Sequence, residues 1–368
     1  MSLSTLLAGP IIKHVDQSSV CIWIATSVKP DKAWLKLYQN NKLIDFTVDL
    51  ESIVLSDKFF VSTFSAQLSS NNSCTRYEYD FCPDSEHVDV ASDTGLLVDS
   101  GIGIQQGKRP FFNLSNELKK FAHASCRKPH GNGKDAFVPL AYELSESSSL
   151  DALFLTGDQI YADDVDRFMF DYVRDVIVKL EMPAETFTGC EPPVPSRAQW
   201  LKDHANFTSG ASHCHLMTLS EFAAMHLLAF SPQLWPEKIQ PHLQDYYQGC
   251  KAIQKVMAHV PTYFMFDDHE VTDDWFLDEA WRSEVERTGI GKQIICNALS
   301  AFGIFQYWGN CSEFPQLKVI VDFIKNQNIE AMQQELMSFD WSYTLATQPP
   351  AYVMDTHTQR YGFGDTCT

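Results

Sequence analysis

Two short acidic segments hold the residue types best suited to chemistry. Gly157-Asp158-Gln159-Ile160-Tyr161 places a carboxylate and a phenol three residues apart behind an apolar run, a separation that lets both side chains face one centre. A phenolate is a hard anionic ligand suited to a trivalent ion such as ferric iron, and a carboxylate can bridge two cations. The same residues also read as a strand and turn, with Asp163 or Asp164 capping the next helix and Tyr161 packed as a core aromatic. Phe266-Asp267-Asp268-His269-Glu270 is denser, and Asp273-Asp274 follow it. Three carboxylates and an imidazole leaving an apolar run repel one another unless a cation or solvent intervenes. The alternative is a solvated acidic loop. In the first case His269, its pKa raised by the carboxylates, is the natural general acid for a leaving oxygen.

These residues need elements that bring them together. Four apolar runs of strand length lead into polar residues: 121–125 into Cys126, 153–155 through Thr156-Gly157 into Asp158, 263–266 into Asp267-Asp268, and 352–354 into Asp355. Near-continuous apolar runs fit strands of an α/β sheet buried on both faces. Ligands bind beyond the carboxyl ends of such strands, so the four polar ends are expected to converge on one sheet edge. Between the second and third runs the spacing predicts helices over 165–180, over 221–230 after Thr218 or Ser220, and over 237–259 with Pro241 in its first turns. This stretch is a helical insertion that shapes substrate access. Further helices are expected at 291–308 and 316–338. Before residue 112 the pattern differs: alternating segments at 19–26, 33–38, 43–50, 59–68 and 76–81, separated by turn residues, have the spacing of an immunoglobulin-like β-sandwich. Residues 101–110 are the linker candidate. The fold expected is thus α/β, with a sandwich over 1–112 and a second domain over 115–368.

Composition narrows the partners. A net charge of -19 over 368 residues argues against nucleic acid, which is bound by Lys and Arg. It also repels a small phosphate ester unless carboxylate-held cations reverse the local sign. No apolar run is long enough to span a bilayer, and the N-terminus lacks the basic flank of a signal peptide, so a cytoplasmic protein is expected. The ten cysteines include no CxxC pair and predict no disulfide framework. His213-Cys214-His215 has no second ligand pair, and Gly131-Asn132-Gly133 lacks the lysine and hydroxyl of a P-loop and reads as a flexible turn. No Gly-x-Ser-x-Gly elbow is present.

FLTGDQIYAD and FDDHEVTDDW together resemble the paired signatures of the alkaline phosphatase D (PhoD-like) branch of the calcineurin-like metallophosphoesterases. Ala124-Ser125-Cys126 is similar to the strand end this branch carries where other members have Asp-x-His. Val353-Met354-Asp355-Thr356-His357-Thr358-Gln359-Arg360 is similar to its later strand, with His357 replacing an arginine, and Gly9-Pro10 and Cys21-Ile22-Trp23 match its accessory sandwich. The resemblance implies a calcineurin-like domain in which Asp158 bridges metals, Cys126 and Tyr161 bind an iron-like ion, and Asp268 stands at a metal-binding position. Asp267, Glu270 and Asp355 are secondary candidates, and His269 matches the histidine beside the phosphate. The ions implied are ferric iron with calcium or another divalent metal (Mn, Zn or Mg). The substrates implied are phosphomonoesters or phosphodiesters, hydrolysed by metal-bound hydroxide. The family draws further ligands from late histidine segments, and after Glu270 this chain has only His357. It therefore reads as C-terminally truncated, or else as a non-catalytic relative serving as a binding or scaffold module.

Overall fold

The computed structural model describes residues 3–68, 76–83, 95–114, 118–146, 150–187, 196–273, 275, 279–310, 314–326, 335, 343–345 and 352–354. It is a mixed α/β protein. Two four-stranded antiparallel sheets lie at the N-terminal end. The first orders β1 (Leu6–Val15), β2 (Ser19–Thr26), β6 (Phe59–Gln67) and β5 (Thr47–Ser56); the second orders β4 (Lys42–Leu43), β3 (Leu35–Gln39), β7 (Arg76–Phe81) and β8 (Phe111–Asn113). Ile22, Ile24 and Phe64 of the first sheet share one buried cluster with Leu37, Tyr79 and Phe81 of the second.

The expected strands at 19–26 and 76–81 form at those bounds. The one expected at 43–50 splits into β4 and β5, and β1 and β8 were not foreseen. β1 escapes a period-2 reading because Leu6 to Ile12 are buried on both faces: Leu6 and Ile12 face the second sheet, whereas Leu7, Ala8 and Ile11 face the rest of the protein. Residues 101–110, the linker candidate, are anchored at both ends and exposed over 105–108. Ile102 is buried in the inter-sheet cluster, and the Arg109 guanidinium lies 3.8 Å from the Tyr38 ring centroid.

A three-stranded parallel sheet follows, with β10 (Ala152–Thr156) between β9 (Phe121–Ala124) and β11 (Thr262–Met265). The crossover from β9 to β10 contains α2 (Phe137–Glu146), which came after the four-residue turn α1 (Leu96–Asp99). That from β10 to β11 contains α3 (Arg167–Lys179), α4 (Arg197–Ala205), α5 (Leu219–Phe230) and α6 (Gln244–Met257). α5 is capped by Thr218 in a capping box with Glu221, and every one of its residues is buried. α6 starts later than expected, since Pro241 lies in a separate 3-10 turn. Beyond β11 come α7 (Glu279–Glu286), α8 (Gly289–Phe302) running into a π-helical turn at Gly303–Tyr307, and α9 (Leu317–Asn326). The fourth apolar run does not join the parallel sheet. It is β13 (Tyr352–Met354), paired antiparallel with β12 (Tyr343–Leu345), because three apolar residues do not specify which neighbour they pair with. Asp355 and His357 lie outside the described residues. Among the described residues, no helix is long and apolar enough to cross a membrane.

The first sheet docks on the π turn through buried polar bonds. Lys13, fully buried, donates from Nζ to the carbonyls of Phe305 (2.8 Å) and Gln306 (2.7 Å). The second sheet makes a separate bond, from Tyr79 Oη to the Ala258 carbonyl at the end of α6 (2.7 Å), and on the π turn Trp23 Nε1 donates to the Ile304 carbonyl at 2.9 Å. A π turn shifts the backbone register at a helix end, and these carbonyls are satisfied from outside the helix. Lys13→Ala leaves two buried carbonyls without their donor and opens a cavity. We expect a loss of about 3 kcal/mol, read from the shift in urea midpoint; a loss below about 1 kcal/mol would show that the two units are not joined in this way.

Candidate metal centre

In the register of the parallel sheet, Ala124 lies opposite Leu155 and Met265 opposite Thr156, so the three carboxyl ends are adjacent. The chain beyond them carries Cys126, Asp158 and Asp268 to one edge. Two of these leave their strands in the left-handed region, Cys126 at φ 57° and Asp158 at φ 55°. That backbone costs a non-glycine residue on the order of 1 kcal/mol, and such strain gathers at functional sites. Gly157 permits the approach of the two loops: a Cβ there would stand 2.2 Å from the Cβ of Asp267.

Glu270 braces the turn. Its Oε2 accepts the N–H of Asp158 (2.9 Å) and of Asp267 (3.1 Å), and its Oε1 accepts the N–H of Gln159 (2.8 Å) and the side-chain amide of Gln306 (3.2 Å). Burial and the nearby Asp158 charge push its pKa up, against the four donors that favour the charged form. Asp267 and Glu270 form a capping box around a 3-10 turn at Asp268–Glu270. Two of the three carboxylates in this run therefore serve the backbone and are not brought into the cluster. Burial and the Asp158 charge raise Asp267 to about 7.

Among the described residues three of the candidates converge, and Cys126 and Tyr161 border them through Asp158. Ligand atoms of Asp158, Asp268 and His269 lie within 4.8 Å of one another. The Cys126 thiol is 3.2 Å from Asp158 Oδ2, and the Tyr161 hydroxyl is 3.4 Å from the same oxygen. Asp158 is 5% exposed, and its Oδ1 has no hydrogen-bond partner. Buried carboxylate oxygens are nearly always satisfied, so a cation at this carboxylate fits the donor set of thiol, phenol and carboxylates. Burial and the Asp158 charge hold the Tyr161 phenol above its ordinary value, and ligation would require both phenol and thiol to lose protons.

Asp163, offered with Asp164 as a helix cap in the alternative reading of the sequence, has a different place. It does not cap α3; Asp166 does, accepting the N–H groups of Phe168 and Met169. Instead Asp163, 1% exposed, holds His269 Nδ1 at 2.7 Å and accepts the Ser209 hydroxyl at 2.8 Å. The Tyr161 ring lies against the imidazole, with centroids 4.3 Å apart. Burial pulls the His269 pKa down, but the Asp163 hydrogen bond and the charges of Asp163, Asp158 and Asp268 outweigh it and raise it to about 9. No local pattern signals this pair, whose members are 106 positions apart. Of the motif set aside above, His215 is buried and His213 exposed.

No family model matches the chain, and no curated protein matches it. Among solved structures, one described as "Structure of PhoD" is similar at 14% identity and a TM-score of 0.43, covering 94% of this chain and 51% of that one. The chain thus spans about half the length of that structure.

Because the folded pKa of His269 lies above the roughly 6.5 of an unfolded histidine, the pair's stabilisation is present below that value. It is lost as pH rises through about 9. In metal-free protein Asp163→Asn should move the His269 midpoint down toward about 6.5, followed by NMR of the imidazole C–H signals. An unmoved midpoint would show that Asp163 does not set it.

Proposed function

We propose that the chain is a metal-dependent phosphoester hydrolase of the PhoD-like kind, with an immunoglobulin-like sandwich packed on a calcineurin-like domain. The observation that carries this reading is the buried Asp158 carboxylate, one oxygen without a partner, ringed by Cys126, Tyr161, Asp268 and His269. Cys126, Asp158, Tyr161 and Asp268 would hold the cations, ferric iron with calcium or another divalent ion. When bound, the metals supply Lewis-acid polarisation of the phosphoryl oxygens and lower the pKa of water. His269, held by Asp163, whose hydrogen bond and charge favour its protonated form, can give a proton to the departing alkoxide. Cys126 is exposed, so the cluster opens to solvent on that side. An acidic chain of net charge -19 admits a phosphate here only where cations reverse the local field.

The purified chain should contain iron with a visible phenolate or thiolate charge-transfer band, weakened in Tyr161→Phe and Cys126→Ser. Asp158→Ala and Asp268→Ala should each lower hydrolysis of p-nitrophenyl phosphate roughly 100-fold or more with the circular dichroism unchanged. Folded protein that takes up no cation, or full activity in both variants, would overturn the assignment.

A further inference from the structure

Resting on that reading, we propose that a cavity beside Cys126 receives the organic arm of the ester, and that this arm is a polar, hydroxyl-bearing group about the size of a sugar. The cavity has a volume of about 410 Å³, within the range of small-molecule sites. Its inner wall includes Ser125, Cys126 and Gln159, whereas Tyr161, Asp268 and His269 do not line it. It is therefore a cleft beside the ligand cluster, and Cys126, whose thiol is 3.2 Å from Asp158 Oδ2, borders both.

The outer wall is the loop from Lys128 to Asp135, whose glycines and Asn132 were read above as a flexible turn. Both ends of that loop are clamped. Arg127, 8% exposed, donates from Nε to Asp135 Oδ2 at 2.8 Å, from one terminal nitrogen to the Ala229 carbonyl at 2.7 Å, and from the other to the Cys250 sulfur at 3.4 Å. Asp135 Oδ1 in turn accepts the N–H of Phe137 at 2.9 Å. Gly249 makes room for this pair, since a Cβ there would meet Asp135 Oδ2 at 1.8 Å. Desolvating such a pair costs stability, and here it holds open a space that collapse would otherwise fill. A preformed pocket lowers the ordering cost of binding.

The lining selects the arm. Lys134, Asn132 and Asp245 stand exposed around the cavity, and a Cβ on Gly133 would meet nothing within 4 Å. Lys128 is already paired with Asp164. Lys134 and Asp245, with the amides of Asn132 and Gln159, around a space walled by Phe137 and Tyr246 suit a ring carrying several hydroxyls. An acyl chain would give these groups no hydrogen-bond partner.

The test is calorimetric binding of glucose 6-phosphate, ethyl phosphate and dodecyl phosphate to the metal-loaded full chain, with turnover of each measured separately. The wild type should bind the sugar ester at least about tenfold more tightly than ethyl phosphate, and Lys134→Ala with Asn132→Ala should remove that advantage while leaving ethyl phosphate binding unchanged. Equal binding of the sugar and ethyl esters, a parallel loss for both in the double variant, or tighter binding of dodecyl phosphate would overturn the inference. Selective binding of the sugar ester without turnover of any ester would count against the hydrolase reading and leave the pocket assignment standing.

Discussion

The site depends on one carboxylate that is not a metal ligand candidate in the folded protein. Glu270 gathers the N–H groups of Asp158, Gln159 and Asp267, and so ties the exit of β10 to the exit of β11. Those bonds help to offset the left-handed backbone at Asp158 and the carboxylate repulsion between the two loops, alongside the Arg127 N–H donated to the Asp158 carbonyl and the Ala162 N–H donated to the His269 carbonyl. Gly157 is the steric condition for the same contact. Burying Glu270 is tolerable because its oxygens are saturated with donors, whereas Asp158 meets the Cys126 thiol and the Tyr161 hydroxyl with Oδ2 and keeps Oδ1 without a partner.

The brace extends outward. Gln306, on the π turn, donates to Glu270 from its side chain, while its main-chain carbonyl accepts from Lys13 of β1. Gln306 also lies 3.1 Å from His226 Nε2 of the buried helix α5. The first sheet is thus joined to the turn that carries the candidate ligands through Lys13 and Gln306, a structural link between the two.

Two buried ionisable side chains, Glu270 and Arg127, do comparable work. Glu270 accepts from backbone at the exits of β10 and β11, whereas Arg127, just beyond β9, donates to Asp135 and to the Ala229 carbonyl of α5, and each fixes a loop whose path sheet pairing alone leaves undetermined. Such arrangements are costly if half satisfied and rigid when complete. That rigidity is what holding ligand atoms or a small-molecule arm at fixed positions requires.

The sequence by itself determined the elements with strong local signals. The alternating strands before residue 112, the capped α5, and the three apolar runs ending near Cys126, Asp158 and Asp268 were legible because side-chain period and capping chemistry act over a few residues. It also marked the residue types from which a cluster could be made. Only the tertiary structure decided which of them face one another. Asp267 and Glu270 turned to the backbone, Asp163 reached His269 across 106 positions, and the run at 352–354 paired outside the parallel sheet. β1 and the Arg127 clamp were hidden for the same reason: burial on two faces and ion pairing in the interior are properties of neighbours brought close by folding, and no local spacing encodes them.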